Sequence, residues 1–350
     1  MNYYRHVDCS EIQFDFLYFT KNDVQSYEEE INNRGGRSFL VTAPNKNPIQ
    51  FEKDVHAFYK LHKGEYYAVH LHDTFLPAFL IDCKRKLDCR KVIAHAHLTS
   101  YGDSFIKSTR NRLLSLPKFF IADEYWACSH EAGYALVGKS VFDKKGRILN
   151  NAILLEKFTY SPEKSQQLRK ELGIEDHFVI GHVGHFNLQK NHDFLIDIIE
   201  ELRQINSNIK LIMIGDGARR EIIEKKCSDL SLQDVVVFLG VRKNVNELMN
   251  IFDVFCLPST YEGLPFVLVE SQAMGIPCVY SSTITKEVNI LREQNRVLSL
   301  EITAEQWADA INHSKRECKD PQKRMRENGF DIILEAKKLV DYYTCGVNKQ

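Results

Sequence analysis

No apolar run in this sequence approaches the roughly 20 residues that span a bilayer, so no membrane-spanning segment is expected. Cys-x-x-Cys pairs are also missing. The nine cysteines (Cys9, Cys83, Cys89, Cys128, Cys227, Cys256, Cys278, Cys318, Cys345) are odd in number and scattered, with no secretory signal ahead of them. That usage reads as reduced cytoplasmic thiols, most of them buried small hydrophobes, and no zinc site is expected from it. Neither sign of charge is in excess. The formal net charge is -1, which nominates neither nucleic acid nor membrane as a bulk partner. There is no internal repeat and no low-complexity tract, and no Asp-x-Asp pair to imply a metal.

What is present is a chain of 350 residues, 44% hydrophobic and 27% charged, long enough for two ordinary cores. Short apolar runs rich in Val, Ile, Phe and Tyr alternate with longer helical patterns, the signature of parallel sheets with crossover helices, so the fold class is α/β. Strands are expected at 14–19, 39–43, 68–72, 92–97 and 124–129, then at 178–183, 211–215, 235–239, 254–257, 278–281 and 297–300. Two Rossmann-like halves follow, joined near Asn150 to Gln166, where Asn150-Asn151 and Ser161-Pro162-Glu163 supply turn and helix-start residues. The expected domains are 1–155, 156–325 and a terminal segment 326–350 that packs back on the first. Helices are expected at 304–315 and from about Lys323 to Tyr343.

In open parallel sheets ligands bind beyond the carboxyl ends of the strands. In the second half three such loops carry glycine or charge: Gly184-His185-Phe186-Asn187-Leu188-Gln189-Lys190, then Gly215-Asp216-Gly217, then Pro258 to Pro265 with Glu262, Gly263 and Leu264. The third runs into a helix starting near Pro265, whose free N–H groups and positive dipole end suit a diphosphate. Glu262 in the loop and Glu270 in the second turn are placed to accept hydrogen bonds from hydroxyls on either side of that anion, and Lys190 supplies positive charge. Taken singly, each piece also reads as a solvated side chain or an ordinary turn. The conjunction of three on one sheet edge is what marks a site.

At these residues the sequence resembles the retaining glycosyltransferase family 4, whose donor domain carries a Gly-Arg and later Lys, a Gly-Asp-Gly, and two glutamates separated by seven residues. Here those are Gly184 with Lys190, Gly215 to Gly217, and Glu262 with Glu270, and the likeness runs from Phe178 to about Val288. Its wording is similar to the branch that builds bacterial exopolysaccharide and capsule. The resemblance implies a GT-B fold, two Rossmann-like domains facing across a cleft with a C-terminal helix crossing back. It implies transfer of a hexose or N-acetylhexosamine from a nucleotide-diphosphate sugar, most simply a UDP-sugar, with no cofactor and no metal. By the same resemblance Lys190 contacts the donor phosphates, Glu270 the ribose and Glu262 the transferred sugar. His97, in Ala94-His95-Ala96-His97, matches the family histidine that reaches the sugar.

Two departures stand out. His185 occupies the family's Arg position and cannot make a bidentate phosphate contact. Met1 to His6 reads as the middle of a helix, so that about twenty residues with a first strand and Gly-Gly loop are missing from the family plan. The acceptor implied is an undecaprenyl-type lipid-linked glycan. Residues 84–147 hold 13 Lys and Arg against 6 Asp and Glu, which reads equally as a solvated face or as a surface for anionic lipid. Such a protein would be cytoplasmic and peripheral on the membrane's inner face. The competing readings are an inactive homologue that binds nucleotide or a partner transferase, and a sugar-nucleotide epimerase on the same fold.

Overall fold

The computed structural model describes residues 1–19, 27–73, 80, 82–97 and 105–345. Two compact units emerge, Met1–Leu149 with Ile333–Gln350, and Asn150–Ile332. The divisions lie a few residues from the expected 155/156 and 325/326.

In the first unit β1 (Phe16–Tyr18) pairs in parallel with β2 (Ser38–Leu40). A separate four-stranded parallel sheet takes β3 (Ala68–Leu71), β4 (Lys91–Ala96), β5 (Glu124–Ala127) and β6 (Gly146–Ile148) in that order. β6 was not expected. It is three residues long, and its two leading residues are exposed glycine and arginine, so it carries almost no hydrophobic signal. Met1 to His6 corrects the sequence reading too. Those residues form a tight turn, with Arg5 N–H donating to the Met1 carbonyl at 3.0 Å, and no helix is assigned there.

The closing helix Ile332–Cys345 buries Ala336, Leu339, Val340 and Tyr343 against Ile93 and Trp126. Glu124 binds it polarly: its carboxylate accepts from Tyr342 Oη at 2.7 Å, Trp126 Nε1 at 3.0 Å and Lys91 Nζ at 3.0 Å. The expected single helix from Lys323 to Tyr343 is two, 321–327 and 332–345. Between them Gly329 takes φ +80°, the left-handed geometry that ends a helix.

The second unit is one six-stranded parallel sheet of β7 (Phe178–Val183), β8 (Ile209–Ile214), β9 (Val236–Gly240), β10 (Val254–Leu257), β11 (Cys278–Ser281) and β12 (Arg296–Leu298). Its order is β12-β11-β10-β7-β8-β9, so the winding reverses between β7 and β10. The helix His192–Ile205 shows why the unit holds together. Leu195, Ile198, Ile199 and Leu202 recur at helical spacing and are fully buried against Leu211, Met213, Val254 and Trp307. Each such side chain contributes about 1.5–3 kcal/mol on leaving water. Helix starts follow the sequence signals: Ser161 accepts from the Lys164 N–H, and Thr303 with Gln306 forms a capping box.

Candidate active site

A doubly wound sheet opens a crevice where its strand order reverses, because the loops leaving the two central strands diverge to opposite faces. Here those strands are β7 and β10, and their loops carry Lys190 and Glu262. Lys190 Nζ lies 2.7 Å from Glu262 Oε1, with 13% and 9% of the two side chains exposed. Ser259 Oγ donates to the same oxygen at 3.0 Å, and Gln189 Nε2 to Glu262 Oε2 at 3.1 Å. The loop after β11 joins through Thr283 Oγ1, which donates to the Ser259 carbonyl at 2.8 Å.

This ion pair went unread in the sequence. Its members are far apart along the chain, and only the adjacency of β7 and β10 brings them together. Ser259 and Gln189 were missed as well. Their one sequence signal is position, three residues before Glu262 and one before Lys190.

The glycines act through close approach. Gly215 has φ +138°, and a Cβ there would sit 2.0 Å from the Gly184 carbonyl oxygen. The β7 and β8 loops therefore press backbone to backbone, latched by Phe186 N–H donating to the Asp216 carbonyl at 2.9 Å. A Cβ on Gly184 would meet the Lys190 side chain at 3.1 Å, and one on Gly217 the His185 ring at 2.9 Å. His185 is exposed and Phe186 behind it is buried, its ring 4.2 Å from that of His192. Asp216 is exposed and accepts from its neighbour's Gly217 N–H at 2.7 Å.

On the far side of the crevice the helix is Phe266–Ala273. Pro265, expected at the first helical position, is instead the extended N-cap, so the helix begins one residue later, and no side chain caps it. Leu264 and Pro265 are buried, and Asn151 Nδ2 holds the Leu264 carbonyl at 2.6 Å. Glu270 sits in the second turn, half-buried, with no hydrogen-bond or ion-pair partner for its carboxylate among the described residues. Burial pushes its pKa up to about 7. Its carboxylate therefore stands near a helix start with its hydrogen-bonding capacity unused.

His97 belongs to the first unit, just past β4. Its Nε2 lies 2.8 Å from His72 Nδ1. The residue is exposed, yet the protein around it lowers its pKa, with the N-terminal charge adding to the effect.

Residues 164–331 match the family Glycosyl transferases group 1. EpsF of Bacillus subtilis (strain 168), named as a glycosyltransferase, is 34% identical over 358 residues, covering 100% of this chain and 93% of EpsF. The Escherichia coli UDP-Gal:alpha-D-GlcNAc-diphosphoundecaprenol alpha-1,3-galactosyltransferase is 26% identical over 333 residues, 88% of this chain and 83% of its own length. Among solved structures, Anabaena HepE in complex with UDP and glucose is similar with a TM-score of 0.74 at 16% identity, over 94% of this chain and 98% of that one. The fold is that of the GT-B glycosyltransferases. Likeness running the whole length of the chain, with the matched domain built around the β7–β10 crevice, means that this protein belongs to the group 1 glycosyltransferases.

Proposed function

We propose that the protein transfers a hexose or N-acetylhexosamine, with retention, from a UDP-sugar to a lipid-linked glycan in cell-surface polysaccharide synthesis. The Lys190–Glu262 pair at the sheet's switch point carries the reading. Lys190 holds the donor diphosphate with the helix start beyond Pro265, and Gly184, Gly215, Asp216 and Gly217 form the floor beneath it. Gly263 and Leu264 lead the backbone into that helix. Glu262, oriented by Ser259 and Gln189, accepts from the transferred sugar, and Glu270 accepts from the ribose hydroxyls. His97 takes the sugar-contacting role that the family resemblance gives it. Among the described residues no side chain beside Lys190 and Glu262 is set as a nucleophile. The acceptor oxygen therefore bonds to the anomeric carbon on the face from which the diphosphate departs, and the departing phosphate oxygen takes the acceptor proton. The protein's part is positioning and charge stabilisation.

The relatives' names support the substrate classes. The E. coli relative's donor is UDP-galactose and its acceptor a diphosphoundecaprenol-linked sugar, and a Campylobacter jejuni relative also acts on a diphospho-undecaprenol glycan. Both are transferases, which weighs against the epimerase and inactive-homologue readings. For the acceptor's membrane, residues 84–147 offer exposed Leu113, Leu116 and Phe119 and the 86%-exposed Phe120, with Lys84 and Arg85 beside Phe120. Much of the cationic charge is locally paired, Lys84 to Asp123 and Arg85 to Asp82. Apolar contact therefore supports peripheral docking at least as well as charge does.

The reading is tested with UDP-, GDP- and ADP-sugars, scored for donor hydrolysis and for transfer to diphospho-undecaprenol acceptors, with the anomeric configuration of the product read by NMR. UDP-dependent transfer with retention is expected. Inversion, or no turnover of any donor, overturns it. Co-sedimentation with anionic vesicles that Phe120→Ser leaves unchanged would remove the apolar docking component.

A further inference from the structure

Residues two apart on a strand face the same side, and β3 and β4 are parallel neighbours with His70 opposite Ile93 and Leu71 opposite Ala94. His70 and His72 from one strand end, and His95 and His97 from the other, therefore form a two-by-two array on one face. Across the strands the rings meet edge to edge: His70 Nε2 lies 3.0 Å from His95 Nδ1, and His72 Nδ1 lies 2.8 Å from His97 Nε2. Along the strands His70 and His72 stack with centroids 4.6 Å apart, and His95 and His97 lie tilted by 31° with centroids 4.2 Å apart.

We propose that His70, His72 and His95 form a three-imidazole site for a divalent transition-metal ion of the zinc, cobalt and nickel class. One nitrogen from each of the three lies within 4.8 Å of the others. A tetrahedral ion bound at about 2.0–2.1 Å needs ligand nitrogens roughly 3.4 Å apart. The His70–His95 pair, at 3.0 Å, is already closer than that, and the widest pair lies within 4.8 Å. A metal ion binding both nitrogens would replace the hydrogen bond between them.

Two further observations support the site. His95 is 3% exposed, and its Nε2 is buried with no hydrogen-bond partner, an unmet group that an ordinary packed core avoids. Tyr343 Oη lies 3.3 Å from His70 Nδ1. An Nδ1–H donated to that oxygen leaves the Nε2 lone pair facing the cluster, the outer-shell arrangement that orients metal-binding histidines. Neutral imidazole is the ligating form. A set of imidazoles without a carboxylate selects borderline ions over magnesium or calcium. The ion would pin the ends of β3 and β4 together. Since His72 also bonds His97, it would couple that pinning to the orientation of His97. The site stands independently of the proposed transfer reaction.

The test is titration of the full chain, first stripped with chelator, by Co2+ and then Zn2+. One equivalent of Co2+ should give the visible absorption of tetrahedral cobalt without the near-ultraviolet sulfur charge-transfer band that thiolate ligands produce. His70→Gln and His95→Gln, each shown to be folded by far-ultraviolet circular dichroism, should weaken Co2+ binding at least about tenfold, the size that loss of even an outer-shell partner brings. His130→Gln, outside the array, should not. Because packed histidines can be needed for folding, imidazole 15N spectra of the unaltered protein provide a second readout. Zn2+ should shift the resonances of His70, His72 and His95. Absence of any cobalt spectrum, a thiolate band, undiminished binding in both variants, or shifts confined to other histidines would each overturn the proposal.

Discussion

The two units carry site residues in contrasting settings. In the second unit the loops after β7, β8, β10 and β11 are tied to one another by an ion pair, by side-chain hydrogen bonds and by glycine backbones in contact. In the first, His97 stands at a strand end with an imidazole as its partner. Function-bearing residues are legible in a sequence where the backbone itself is constrained, because glycine and charge then appear at fixed offsets. Where a site is made by neighbouring strands presenting ordinary-looking residues, only the pairing reveals it.

The sharpest way to break that contrast is Lys190→Ala. It leaves the Glu262 carboxylate buried without its cation, a loss of about 3–5 kcal/mol, and it should reduce donor turnover to background. Combining Lys190→Met with Glu262→Gln should recover most of the stability in urea unfolding and none of the turnover. If Lys190→Ala is as stable as the wild type, the pair does not organise the crevice.

Gly215→Ala comes next. Strain at φ +138° and the collision with the Gly184 carbonyl should cost about 2–4 kcal/mol, lowering the melting transition of the second unit while leaving that of the first. A single unshifted melt would show that the two loops are not pressed together.

A smaller effect is expected from pH. Burial raises the Glu270 pKa to about 7 in the free protein. Ribose hydroxyls donating to the carboxylate favour its charged form, so its pKa falls on donor binding and a proton is released. Donor affinity should therefore rise with pH up to about 7 and level off above it, by up to about tenfold per unit. Glu270→Gln should flatten the profile as read by calorimetry across pH 5.5 to 8.5. An unchanged slope would place the titrating group elsewhere. Smallest is His185→Arg, which adds a charged donor beside Gly217 and should tighten UDP binding about fivefold, the equivalent of about 1 kcal/mol. A weaker complex would mean that His185 does not face the phosphates.

The sequence revealed the α/β class, the six strands of the second sheet and the three glycine- or charge-bearing loops, because apolar runs, turn residues and helix starts are local signals. It did not reveal β6, whose Gly146 and Arg147 carry no strand pattern, or the turn at Met1 to His6. The helix break at Gly329 was visible as a residue and passed over, since an isolated glycine in a helical pattern is often tolerated. The Lys190–Glu262 contact depends on strand order, which periodicity does not encode. The histidine array shows the same limit: His97 was read alone, and His70, His72 and His95 joined it as a cluster only once β3 was found beside β4.

The central claim is that the β7–β10 crevice of the second unit is a nucleotide-sugar site read by Lys190, Glu262 and Glu270. Calorimetric titration of UDP into the wild type and Glu270→Ala tests it most directly. The account predicts one UDP per chain for the wild type and loss of that binding in the variant while its melt is unchanged. Equal binding in both proteins would contradict it.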